Sequence, residues 1–251
     1  MRAFTKGISK EDFVNEMKMH QAADHFLKGT YDDGEKACSV GCALKSVAKL
    51  KKIELRFNEH IEFENHLGIP EWMARLNDTI FEGVSLERSK KWPVEFAEAI
   101  NEGSDLDKVK IPFIIFTLKN SLESIRNAKY DQDKFPDVKN AIDQSETAII
   151  EMIRCHENGL DLTAARSAAA RSARSAAWSA ESAARSAAAR SARSAAWSAA
   201  ESAAWSAESA AWSTESAAWS AASAARSARS ATSAAFEMYA DKLLELIRGC
   251  K

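Results

Sequence analysis

Residues 163–235 are written almost entirely in Ala and Ser, with a third slot filled by Arg, Trp or Glu, and without any Gly or Pro. Ala is the strongest helix former, so this composition predicts helix throughout. It also removes the large aliphatic side chains from which an ordinary core is built. A helix of this kind must pack backbone close to backbone, or present its few large residues to something else.

The tract contains a 19-residue duplication, in which residues 166–184 recur from Arg185 with one extra Ala near Ala200. A heptad, WSAESAA, then takes over at Trp205, Trp212 and Trp219. Wound at about 100° per residue, the heptad gives three sectors: Trp, Glu and Arg in one stripe, Ser beside it, and Ala opposite. The Ala face permits close helix–helix approach, but each methyl buries little area, so such helices need length or several neighbours. Glu181 to Arg185 is a favourable i,i+4 ion pair, and Arg174 to Trp178 and Arg193 to Trp197 are i,i+4 cation–π pairs. The duplication advances about 100° beyond whole turns, so the two copies face different directions. The expected result is long Ala/Ser-rich helices in a hairpin or coiled-coil-like bundle, with a turn near 187–189; the alternative is one rod of about 100 Å.

Residues 1–160 differ in kind. All four prolines and eight of the nine glycines lie there, punctuating a series of helices. Ser9 with Asp12 resembles a capping box, opening a helix that carries Phe13, Met17 and Phe26 toward Gly29. Further helices are expected over 38–50, over 53–66, from Pro70 through Ile80, and from Trp92 through Ile100. Pro112 and Pro136 open two more, the second running to Asn158. A final amphipathic helix places Phe236, Tyr239, Leu243 and Leu246 on one side and ends at Gly249. Few stretches alternate with the period of a strand, and none is assigned as one. The fold class expected is all-α: a multi-helix globular domain over 1–160, then the repeat helices and terminal amphipathic helix over 161–251.

The net charge is −2, so no global field recruits nucleic acid or anionic membrane. Four scattered cysteines do not make a disulfide framework. The opening residues are polar and unlike a secretory signal, and the longest apolar run, 111–118, is far too short to span a bilayer. A cytoplasmic setting without membrane attachment follows as the expectation.

Candidate chemistry centres on Cys38, which follows the Gly34 loop near a helix start, where the helix dipole favours a thiolate. With His20 or His60 as base, a Cys–His nucleophile is one reading; a small apolar residue packing its helix is the other. His20, Asp24, His60 and Glu64 form two i,i+4 pairs, the weak candidates for a divalent metal, though their spacing matches no established ligand motif. Asp78 and Glu82 read as a plain acidic face. No phosphate-binding loop or dinucleotide fingerprint occurs, and no cofactor is expected. In the repeat, Trp178, Trp197, Trp205, Trp212 and Trp219 with Arg174 and Arg193 form a candidate contact surface for a protein partner or for self-association. Eight Arg against four Glu over 166–229 make nucleotide or single-stranded nucleic acid a weaker candidate ligand. Packing of these rings on the N-terminal domain or across a dimer is the structural alternative.

The segments Gly29-Thr30-Tyr31, Ala37-Cys38-Ser39-Val40-Gly41-Cys42, Leu67-Gly68-Ile69-Pro70, Asp78-Thr79-Ile80-Phe81-Glu82-Gly83 and Trp92-Pro93 resemble, as a set, a group of uncharacterised bacterial and phage or prophage proteins. In those proteins such a domain is coupled to an Ala-rich tail. The resemblance covers roughly residues 9–106 plus the character of the tail. It implies a phage or mobile-element setting, with a role in phage–host conflict or particle assembly, and carries no catalytic residue. The function expected is a non-enzymatic binding or scaffold protein. The alternatives are a Cys/His-dependent enzyme centred on Cys38 and a nucleotide or single-stranded nucleic-acid sequestering protein.

Overall fold

The computed structural model describes residues 2–127, 136–160 and 229–250. The chain is all-α, and no strand occurs among the described residues. The repeat hairpin with its turn near 187–189, and the contact residues Trp178, Trp197, Trp205, Trp212, Trp219, Arg174 and Arg193, lie outside the described residues.

Two compact units are present: Met1–Lys110 with Arg229–Lys251, and Ile111–Ala228. In the first, α1 (Lys10–Ala22), α2 (Ser39–Lys51), α3 (Ile61–Leu67), α4 (Glu71–Gly83), α5 (Leu86–Ser89) and α6 (Trp92–Ala99) follow in chain order. Most of a long helix, α7 (Asp107–Arg126), and α8 (Pro136–Asn158) belong to the second unit. The last helix, α9 (Arg229–Gly249), belongs to the first unit. Composition groups it with the repeat; packing groups it with the globular helices.

Within the first unit α4 is central, touched by α2, α3, α6 and α9. Its buried face carries Met73, Ala74, Leu76, Asn77, Ile80 and Phe81, the i, i+3, i+4, i+7 spacing of a core-facing helix. Phe13, Met17, Leu44, Phe63, Leu67, Ile69, Trp92 and Ile100 close around it with exposures of 2% or less. Each such side chain contributes about 1.5–3 kcal/mol relative to exposure.

Several helix limits differ from the sequence expectation for identifiable reasons. The first helix stops at Ala22 rather than near Gly29, because Asp24 takes a left-handed φ of 52°. Phe26 is therefore outside the helix and pairs with Ala37 in an isolated parallel bridge. Residues 53–60 are not helical: α2 ends in a left-handed Lys52, with Ile53 N donating to Ala48 O at 3.1 Å, and α3 starts only at Ile61. Pro112 lies inside α7, which begins five residues earlier at Asp107. In α9 the buried stripe is Ala240, Leu243, Leu244 and Ile247, while Phe236, Tyr239 and Leu246 are half-buried.

In the second unit α7 and α8 run antiparallel. Lys119 pairs with Glu157 at 2.8 Å and Arg126 with Glu146 at 2.7 Å, so rising numbers on one helix meet falling numbers on the other. Leu118 and Ile125 meet Ala148, Ile149, Met152, Ile153 and Cys155 in one apolar cluster.

Candidate functional site

The segment between α1 and α2 folds back on itself before α2 begins. Leu27 N donates to Ala37 O and Ala37 N to His25 O, each at 2.9 Å, which closes the base of the loop. At its tip, Asp32 Oδ1 accepts from Gly34 N at 2.8 Å, and Asp33 Oδ1 accepts from Glu35 N and Lys36 N at 3.1 and 2.6 Å. These are side-chain turns of the kind short acidic residues form readily. The loop is seated on the first turn of α2, where Cys38 N donates to Thr30 O at 3.0 Å. Gly41 makes this approach feasible, because a Cβ there would overlap the Tyr31 carbonyl oxygen.

This seating brings three side chains to one carboxylate on α4. Tyr31 Oη donates to Asp78 Oδ2 at 3.2 Å, and His60 Nε2 stands 3.2 Å from the same oxygen. Pairing with a carboxylate requires the His60 proton on Nε2. The two rings meet edge to face, with centroids 5.9 Å apart. Cys38 lies close enough for the Asp78 charge to act on its thiol. Asp78 Oδ1 is buried without a hydrogen-bond partner among the described residues.

Cys38 is the N-cap of α2, and its Sγ accepts from Gly41 N at 3.4 Å. Burial, and then the Asp78 carboxylate, push the thiol far above the ordinary range, and the backbone contact offsets only part of this. Tyr31 is raised by the same two causes in the same order. Burial likewise pushes Cys42 up to about 12. Both groups of the hub that could supply an anion besides Asp78 are thus held protonated. A nucleophilic thiol requires the opposite shift.

Of the sequence candidates, His60 and Cys38 share Asp78, whereas His20 has other neighbours. Its Nδ1 stands 3.1 Å from His25 Nδ1, and its ring packs on Phe26. Burial, and then His25, lower its pKa. The proposed metal set is also divided among separate partners. Asp24 binds Lys90 at 2.7 Å and Lys36 at 3.2 Å, Glu64 accepts from Glu71 N at 3.1 Å, and His60 faces Asp78. Among the described residues no group of three or more His, Cys, Asp or Glu side chains is placed to hold a metal ion.

Asp78 itself was not legible as the hub. Its one local signal is the i,i+4 pair with Glu82, whose two oxygens accept from Gly29 N at 2.9 and 3.0 Å. Burial raises the Glu82 carboxyl, and the Gly29 contact opposes this. One residue before Asp78, a second buried network links three elements. Asn77 Oδ1 accepts from Trp92 Nε1 at 2.8 Å, and Asn77 Nδ2 donates to Ser39 Oγ at 2.9 Å. Adjacent residues of α4 therefore fasten α2 and α6 from inside and the Tyr31 loop and α3 from nearer the surface.

A surface cavity of about 410 Å³ beside α1 and α6 is charged and internally paired. Lys18 meets Glu98 at 2.7 Å and Lys10 Nζ donates to Glu98 O at 2.8 Å. None of the candidate residues lines it. Among the described residues no helix is long and apolar enough to cross a membrane. No family model matches the chain, and no curated protein or solved structure matches it. Fold and site together define an all-α protein whose polar hub fastens a loop and two helices to α4.

Proposed function

We propose that this chain is a non-enzymatic binding or scaffold protein, in which residues 161–228 serve as the assembly and contact segment. The observation that carries the reading is the seat of α9. Ala240, Leu243, Leu244 and Ile247 are buried in the first unit, Glu237 binds Ser85, and Asp241 binds Arg88 at 2.8 Å. In sequence the repeat therefore lies between two described helices, α8 before it and α9 after it. A segment flanked in sequence by folded helices loses less freedom on engaging a partner than a free terminus does, which supports a binding role.

In this reading the Ala faces assemble with one another, and Trp178, Trp197, Trp205, Trp212 and Trp219 with Arg174 and Arg193 contact the partner. Rigid aromatic side chains and Arg forks are the residue types that dominate protein interfaces. The setting is a phage or mobile element in the cytoplasm of a bacterial host, in phage–host conflict or particle assembly. The raised Cys38 thiol favours this reading over a Cys38-centred enzyme.

The test replaces residues 161–228 by a short Gly/Ser linker while retaining α9, and compares both chains by size-exclusion with light scattering. An oligomeric parent and a monomeric variant support the assembly role. Equal stoichiometry at all concentrations overturns it. Titration with nucleotides and single-stranded DNA addresses the sequestration alternative: quenching of tryptophan fluorescence supports it, and a flat response removes it.

A further inference from the structure

The end of α4 holds two different parts of the chain with alternating residues. Glu82 accepts from Gly29 N with both carboxylate oxygens, and Val84 O accepts from Lys28 Nζ at 2.6 Å. These contacts secure the loop that leads to Tyr31. Gly83 and Ser85, interleaved with them, secure α9. The Phe236 ring lies so close to Gly83 that a Cβ there would overlap its ring carbons. Ser85 N and Oγ donate to Glu237 Oε1 at 3.0 and 2.7 Å. Arg88, one turn further, reaches Asp241 and Glu95 at 2.8 Å and Glu237 at 3.8 Å.

We propose that residues 82–85 couple the docking of α9 to the seating of the 28–31 loop, so that displacing α9 opens the Asp78 hub. Successive Cα atoms are about 3.8 Å apart along a rigid peptide plane. A shift of Gly83 by the width of a methyl group therefore carries Glu82 and Val84 with it. Hydrogen bonds near 2.9 Å lose most of their strength when stretched by several tenths of an ångström and misaligned. The chain beyond Gly83 offers no slack near α4, because Val84 N is itself bonded to Ile80 O at 2.9 Å. Release of the loop removes Tyr31 from Asp78 and Thr30 O from Cys38 N, which uncovers a thiol that is 2% exposed in the closed state. The coupling stands independently of what the repeat binds.

Gly83→Ala in the full chain, followed by hydrogen exchange with mass spectrometry, tests it. The added methyl forces Gly83 and the Phe236 ring apart, so exchange over 233–247 and over 27–38 rises together by about tenfold or more, while α1 keeps its parental rate. Adding Phe236→Ala makes room for the methyl, and both segments then exchange more slowly than in Gly83→Ala alone. Acceleration of 233–247 with 27–38 at the parental rate overturns the coupling. If α1 accelerates equally, the unit has opened as a whole. Asp241→Asn, which loosens α9 without steric load, then decides on the same two segments: joint acceleration upholds the coupling and acceleration of α9 alone refutes it.

Discussion

Asn77→Ala is expected to be the most damaging small substitution in the first unit. Asn77 is 1% exposed and lies between Trp92 and Ser39, which are equally buried. The change removes the 2.8 Å acceptor of Trp92 Nε1, which retains Asn77 O at 3.2 Å as a weaker partner. It also leaves Ser39 Oγ without its contacts to Nδ2 at 2.9 Å and Oδ1 at 3.2 Å. A buried polar group left unsatisfied costs about 1–3 kcal/mol. With Trp92 partly compensated and a small cavity left by the amide, the sum is about 2–4 kcal/mol. The slowest-exchanging amides of 73–81 report opening of this unit, and their exchange should accelerate about 30- to 700-fold. Ser39→Ala in the same background should add little, because its partner is already gone. An Asn77→Ala chain with parental exchange would refute the account of a buried network joining α2, α4 and α6.

Other expectations concern the hub and its surroundings. Gly41→Ala should unseat the Tyr31 loop, seen as loss of amide protection at Cys38, whose N donates to Thr30 O; retained protection contradicts the close approach. Cys38 should alkylate far more slowly than a free thiol at neutral pH, because burial and Asp78 keep it protonated. Rapid modification would revive the enzymatic reading. For His20 the folded pKa lies below its ordinary 6.5, so the unfolded chain takes up a proton that the folded chain refuses. Its stabilising contribution is present above pH 6.5 and is lost as pH falls toward the lowered folded value. His20→Gln should flatten the stability profile in that window, and an unchanged slope contradicts the assignment.

The helices that sequence reading placed well are those with local punctuation. Pro70 and Trp92-Pro93 sit at or beside the starts of α4 and α6, and the capping hydroxyl of Ser9 accepts from Asp12 N at 3.1 Å. The misplaced limits arise where an ordinary residue does what Gly usually does. Asp24 and Lys52 adopt left-handed φ values of 52° and 56°; Asp tolerates this region better than most residues, but Lys gives no such signal. Pro112 misled in the other direction, since proline is commonest at a helix start and here sits inside one. Cys38 was legible as a helix-start residue, but the sign of its pKa shift was not. The dipole argument is local, whereas the burial and the Asp78 charge that outweigh it depend on α4 packing against α2. Asp78 became the hub through contacts 18 and 47 residues away in sequence, which no helical periodicity encodes. The assignment of α9 to the first unit rests likewise on pairs such as Arg88 with Asp241, 153 residues apart.

The central claim is that α9, which follows the repeat in sequence, completes the first unit. A site-specific protease sequence introduced at Ala200, cleaved to completion and followed by native size-exclusion, tests it most directly. The account predicts that the C-terminal fragment carrying α9 co-elutes with the N-terminal fragment, held by its buried stripe and the Ser85 and Arg88 contacts. Separation of the two fragments under native conditions would contradict it.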